Sequence, residues 1–332
     1  MLSSLIPSCL RRAELTPELT SPITESGSPA PGGEAPTTKI SLVRTSDRAE
    51  GVRRAISLLR LNSMRGKAVT LKPNFNTADP APGSTHNDTL RALVLFLQEA
   101  GVTRITLVER SGPPDTREVM ERKGIFRLAQ ELGFEVVNLQ ELGPEGWVHI
   151  DMKDDHWKQG FHFARAYLEA EYIVQTCCLK THAYGGHFTL SLKNSVGMVP
   201  RTGYSYMGEL HSSPYQRQMI AEINTAYHPE LIVLDGVEAF VDGGPDKGTR
   251  VEAGVILAGS DRVAIDAVGV AILRLFGTTP AVSQGPIFEQ EQIARAVELG
   301  LGVESPAQIS IITDDAESEA FAGKVTDILI KG

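Results

Sequence analysis

Four segments of this chain end an apolar run on side chains that can do chemistry. They read Val69-Thr70-Leu71-Lys72-Pro73-Asn74, Ile105-Thr106-Leu107-Val108-Glu109-Arg110-Ser111-Gly112, Tyr172-Ile173-Val174-Gln175 leading to Lys180-Thr181-His182, and Leu231-Ile232-Val233-Leu234-Asp235-Gly236. Taken singly, a Lys before Pro or an Asp before Gly is ordinary turn chemistry. Taken together they matter more, because the carboxyl ends of strands in an open parallel sheet share one edge and ligands bind in the crevice along it. The expectation is that Lys72, Glu109, Lys180, His182 and Asp235 meet in one pocket.

The densest run is residues 177–201, which holds His182, His187, Lys180, Lys193, Asn194, Arg201 and a Gly185-Gly186 hinge. Two kinds of chemistry fit it. Lys72, Lys180, Lys193 and Arg201 can grip an anion, assisted by Asn74, Glu109, Asn194 and closely approaching glycine amides. Alternatively His182, His187 and His211, with Asp235 or Glu109, can hold a divalent metal. The interval between His182 and His187 is not the i, i+4 step that puts two ligands on one helix face, so anion binding is favoured. His182 or His187 would then move protons, imidazole being the side chain that titrates near neutral pH. Asp235 and Asp266 would orient or stabilise the catalytic groups.

Asp266 lies in Val263-Ala264-Ile265-Asp266-Ala267-Val268-Gly269-Val270, apolar on almost every face. An unpaired ionised group there would cost several kcal/mol, so it needs a buried partner or a wet functional cavity. Cys177 and Cys178 end a strand and read as small buried hydrophobes. Gly243-Gly244-Pro245-Asp246-Lys247-Gly248 lacks the G-x-x-x-x-G-K-[ST] spacing of a nucleotide loop and reads as a turn joining two strands.

These residues need strands and helices to position them. From Lys39, short β-branched runs alternate with helical segments, the pattern of an α/β fold: a mostly parallel sheet covered by helices, in one or two lobes. Strands are expected over residues 39–45, 67–72, 104–109, 134–139, 171–176, 230–235, 251–258 and 308–313. Helices are expected after Asp47, after Asn87 or Asp88, over 213–227 and over 260–276. Residues 143–170 break the rhythm with Trp147, His149, His156, Trp157 and His162, and read either as an inserted hairpin or lid or as a surface meander. Residues 1–38 are rich in Ser, Thr, Pro and Gly and lack apolar periodicity, so a disordered tail is expected, followed by one α/β domain over 39–332.

Composition narrows the function classes. The chain has 332 residues, 42% hydrophobic, with 32 basic against 41 acidic residues for a net charge of −9. Clustered Lys and Arg supply most of the affinity in nucleic-acid binding, so this acidic balance argues against such a partner. No apolar run approaches the roughly 18 residues a membrane span needs. Three cysteines make neither a disulfide framework nor four iron–sulfur ligands, and a cytoplasmic location is expected.

The motifs together resemble domain-of-unknown-function family 362. The likeness runs over about residues 39–315 and rests on Lys72-Pro73-Asn74, Cys178-Leu179-Lys180-Thr181-His182, Ser191-Leu192-Lys193-Asn194-Ser195-Val196-Gly197, and Gly243-Gly244-Pro245 with Asp261 to Ala267. It implies the α/β domain but no reaction. Many members add a ferredoxin-like cysteine module that this sequence lacks, so no iron–sulfur cluster is expected. A more distant likeness to the nickel-pincer lactate racemases supplies the metal-dependent alternative, with no residue carried over. The leading expectation is an enzyme acting on a small carboxylate or phosphate in a crevice at the strand ends. A non-catalytic ligand- or metal-binding module is the further alternative. Neither substrate, cofactor nor oligomeric state is legible in the residues.

Overall fold

The computed structural model describes residues 37–61 and 63–332. The tail expected over 1–38 lies outside them but for its last two positions, and Thr38 already belongs to the first strand. Twelve strands follow: β1 (Thr38–Arg44), β2 (Ala68–Lys72), β3 (Arg104–Glu109), β4 (Glu135–Asn138), β5 (Trp147–Ile150), β6 (Phe161–Ala164), β7 (Tyr172–His182), β8 (His187–Thr189), β9 (Leu231–Gly243), β10 (Gly248–Val251), β11 (Val255–Gly259) and β12 (Ile309–Ile312).

The main sheet runs β12-β1-β11-β9-β7-β2-β3-β4, with β8 beside β7 and β10 beside β9. Strands β4, β3, β2, β7 and β9 pair in parallel, as do β1 and β12. Only β11 runs against its neighbours along that path. This is the expected α/β fold, and the described residues form one unit. Parallel neighbours need a crossover, and the helix Asn87–Glu99 supplies it between β2 and β3.

Local chemistry explains the helix starts. Asp47 accepts from the amides of Ala49 and Glu50 and caps Arg48–Leu59. His86, not Asn87 or Asp88, caps the next helix, its ring nitrogen accepting from the Asp88 amide. Asp261 caps Arg262–Leu275, which is buried from Arg262 through Leu273 at the centre of one core. The opposite face of the sheet packs on Val52, Ala55 and Ile56 of the first helix and Leu90, Leu93, Val94 and Leu97 of the second.

Three expectations are corrected. The strand expected over 251–258 is two, β10 and β11, separated by Glu252-Ala253-Gly254 with Gly254 at φ 57°. The helix expected over 213–227 shortens to Gln216–Ile223, and a separate helix Tyr206–Ser212 precedes it. Strands β7 and β9 continue well past 176 and 235, because each gains a hairpin partner, β8 and β10. Gly243 and Gly244, at φ 73° and 72°, make the turn from β9 toward β10. Within residues 143–170, β5 and β6 form a two-stranded antiparallel sheet, and Trp157, Phe161 and Phe163 pack with Tyr206, Leu210 and Met219.

Candidate functional site

Where β2, β3 and β7 end, a cavity of about 320 Å³ opens. Its wall carries Lys72, Asn74, Glu109, Arg110, Lys180, His182, Lys193, Asn194, Arg201 and His211. Lys72 closes β2 and Glu109 closes β3, and their parallel register brings both to the same edge. The extension of β7 carries Lys180 and His182 beyond that edge. The turn Ser191–Asn194 returns Lys193 and Asn194 to the same place.

The charges are unequal. Five cationic side chains line the cavity, and among the described residues Glu109 is the one carboxylate lining it. That carboxylate is already occupied. Its Oε1 accepts from Lys72 Nζ at 2.6 Å and from the Arg110 amide at 2.8 Å, and its Oε2 accepts from the Phe75 amide at 2.8 Å. Lys72 and Glu109 are both 1% exposed. Burial pushes the Lys72 amine down while Glu109 pushes it back up. Gly197 makes this pair possible, since a Cβ there would come within 2.9 Å of both Glu109 Oε1 and Lys72 Nζ.

Arg110, which sequence reasoning passed over, spends its guanidinium on the carbonyls of Val199, Ser111 and Val196. Among the described residues it has no carboxylate ligand, and burial pushes it down to about 10. Its position directly after Glu109 was the available signal. Arg201 stands exposed at the rim and donates to the Pro114 carbonyl at 2.9 Å. The His182 and His211 rings stack with centroids 6.4 Å apart. Burial and the nearby lysines push His182 down, so its ring is neutral at physiological pH. Two wall atoms, His182 Nδ1 and Thr189 Oγ1, are buried without a hydrogen-bond partner among the described residues. Buried polar groups are normally paired, so both leave hydrogen-bonding capacity unspent in the cavity wall.

Two expected members are elsewhere. Asp235 does not line the cavity. It lies on the face of β9 that packs under the first two helices, accepting from Arg48 Nε at 2.9 Å and Thr89 Oγ1 at 2.6 Å. His187 sits opposite His182 in the β7–β8 register and also lies off the cavity, with Arg217 and Glu291 as its charged neighbours. Among the described residues no three His, Cys, Asp or Glu side chains come together to hold a metal ion. The trio His182, His187 and His211 therefore does not fit one.

Asp266 acts at one remove. It is fully buried, and its carboxyl accepts from the Ser191 amide at 2.7 Å and the Leu192 amide at 3.2 Å. It thereby fixes the start of the turn that presents Lys193 and Asn194. Burial pushes it up to about 8, so the protonated form dominates at neutral pH. Gln292 Oε1, buried without a partner, belongs to the amide beside Asp266 Oδ2. With that nearly symmetric amide turned over, a protonated Asp266 would donate to it. Burial likewise pushes the Cys178 thiol up to about 11 and the Cys177 thiol upward, which suits inert core residues.

A family model described as "Domain of unknown function (DUF362)" matches residues 69–271. The chain belongs to this family. A thylakoid-associated protein of Synechocystis sp. is 27% identical over 215 residues, which are 63% of this chain and 64% of that protein. The chain thus spans just under two thirds of that relative. Among solved structures, the lactate racemase apoprotein from Thermoanaerobacterium thermosaccharolyticum matches with a TM-score of 0.41 and 13% identity, covering 86% of this chain and 85% of that one. No described helix is long and apolar enough to cross a membrane.

Proposed function

We propose that the cavity binds a small organic anion, a carboxylate or a phosphate, and that the protein is an enzyme acting on it. The observation that carries this reading is the charge imbalance: five cations face one carboxylate, which Lys72 and two backbone amides already occupy. Cations left without counter-ions in a semi-enclosed wall draw an anion in, because charge-assisted hydrogen bonds are the strong ones. A volume of about 320 Å³ suits a molecule of a few heavy atoms. Arg201 at the rim would hold the acid group, and Lys193 inside would meet the polar group next to it. His211 would move protons, and His182, kept neutral, would offer hydrogen bonds without taking up charge. Gln216 donates to His211 Nδ1 at 2.9 Å, which leaves the proton of a neutral ring on Nε2.

A reducing, cytoplasmic setting belongs to this proposal, in line with three cysteines in the whole chain, too few for a disulfide framework. No metal-assisted step is proposed. The test is thermal stabilisation across a panel of small carboxylates, inorganic phosphate and their neutral amide or alcohol analogues. Stabilisation by acids and not by neutral analogues, weakened by salt, is expected. A flat response to every anion at millimolar concentration overturns the reading.

A further inference from the structure

Three amines line the cavity, and two of them are fully used. An ammonium has three N–H donors. Lys72 Nζ meets three acceptors: the Pro73 carbonyl at 2.7 Å, Glu109 Oε1 at 2.6 Å and Asn194 Oδ1 at 3.2 Å. Lys180 Nζ also meets three: Asn74 Oδ1 at 3.0 Å, the Gly83 carbonyl at 2.5 Å and the Pro245 carbonyl at 3.1 Å. Lys193 Nζ has no hydrogen-bond partner among the described residues, although Lys193 is only 7% exposed. Its charged neighbours, Lys180 and Arg110, are both positive.

An amine in this position parts with its proton easily. Burial and the like charges push it down to about 8, so an appreciable fraction is free base at neutral pH. A desolvated lysine beside another cation is the arrangement that makes an amine a nucleophile. Gly186 packs against both it and the neutral imidazole: a Cβ there would stand 3.1 Å from Lys193 Cε and 2.9 Å from His182 Nδ1. The absence of a side chain at Gly186 leaves the imidazole and the lysine stem room on one wall.

We propose that Lys193 forms an imine with the carbonyl carbon of a small oxo-acid whose acid group Arg201 holds at the rim. The proposal rests on the anion reading above and narrows it, since the nucleophile requires a carbonyl and the charges require an acid. The Lys193 nitrogen lone pair forms a bond to the carbonyl carbon, and the π pair moves to oxygen, which takes up one of the two amine protons to give a carbinolamine. The second amine proton follows to the hydroxyl, which departs as water while C=N forms. One amine and one carbonyl thus give one imine and one water, with no oxidant or reductant.

The test uses the full chain with pyruvate, glyoxylate and 2-oxoglutarate as probes. Each is incubated with sodium cyanoborohydride, followed by intact mass and peptide mapping. Binding is measured separately by thermal shift without reductant, with lactate and inorganic phosphate alongside. One reduced adduct per chain is expected, on Lys193. It should be absent in Lys193→Arg and Lys193→Met and retained in Lys247→Arg, a surface control. Binding of an oxo-acid without an adduct on Lys193, adducts that persist in both Lys193 variants, or binding of lactate or phosphate but of no oxo-acid each overturn the imine and leave the anion reading standing. No shift with any of the five overturns both.

Discussion

Two polar clusters sit where the parallel part of the sheet gives way to its hairpin extensions, and only one keeps hydrogen-bonding capacity unspent. Around Asp235, opposite charges alternate: Asp235 takes Arg48 at 2.9 Å, Arg48 also reaches Glu238 at 2.9 Å, and Glu238 takes Arg250 at 2.9 Å. Thr89 and the Val237 amide complete the Asp235 carboxylate. Around Lys72, Glu109 is similarly complete, but Lys193, His182 Nδ1 and Thr189 Oγ1 are left over. Both clusters look alike as residue types. What separates them is hydrogen-bonding capacity left unspent in a cavity wall, and several perturbations test that contrast.

The largest effect belongs to the finished part of the cavity wall. Lys72→Met leaves Glu109 charged, buried and without its cation, a loss of about 3–5 kcal/mol. Chemical denaturation should show it as a lower midpoint with an unchanged slope. The double variant Lys72→Met, Glu109→Leu should recover much of the loss, since removing both charges spares the orphan. A single variant as stable as the parent would mean the pair is not buried as described.

Asp266 should rank next. Asp266→Leu strips the Ser191 and Leu192 amides of their acceptor, at about 1–3 kcal/mol for each buried donor left unpaired. Asp266→Asn keeps the acceptor and should retain the fold. The pH profile separates them further. The folded carboxyl, at about 8, holds its proton well above the ordinary carboxyl range near 4, so the unfolded chain ionises first. Stability from this group is therefore fully present below about pH 4 and is lost as pH rises toward 8. Denaturation midpoints of Asp266→Asn should fall less steeply than those of the parent between pH 5 and 8. Parallel profiles would place the Asp266 titration outside that window.

How much of this was legible follows from the same distinction. The alternation of β-branched runs and helices gave the sheet, and the strand-end rule brought Lys72, Glu109, Lys180 and His182 to one edge, because both depend on local periodicity and on parallel pairing. Asp235 obeyed the edge rule and still missed the cavity. Side chains alternate along a strand, and Asp235 shares the face of Leu231 and Val233, which packs under helices. His187 failed for a related reason: a hairpin register with His182 puts two histidines opposite each other without aiming both inward. The extension of β7 was hidden because Cys177-Cys178-Leu179-Lys180-Thr181-His182 shows no alternation of apolar and polar types, and only the partner strand β8 explains its pairing. Arg110 was hidden by its neighbour. The saturation of Lys72 and Lys180 by carbonyls of Pro73, Gly83 and Pro245 was beyond any sequence reading, since backbone acceptors carry no residue signature.

For the unfinished part of the cavity the expectation inverts. Lys193→Met removes an ammonium that satisfies nothing in the folded chain, so the melting temperature should hold or rise. Binding of the stabilising anion should weaken by about 10- to 100-fold, the worth of a lost charge-assisted contact of about 1.5–3 kcal/mol. Titration calorimetry on a folded variant reads this directly. A destabilised variant with unchanged affinity would make Lys193 a structural residue and reverse its place in the comparison.

The smallest effect should come from Asp235→Asn, and it sharpens the contrast most. The amide keeps one oxygen for Arg48 or Thr89 but loses the charge that made those contacts strong. Arg48 retains Glu238, and it is 12% exposed, so water shares the loss. A drop of about 1 kcal/mol is expected, near the worth of a single net hydrogen bond. Affinity for the anion should not change, because Asp235 touches no group of the cavity wall and its charge is neutralised within its own cluster. The measurement is a paired one, denaturation midpoint and dissociation constant on the same preparation. If affinity moved with stability intact, the two clusters would be electrically coupled through the sheet, and matched charge would no longer suffice to call a strand end closed.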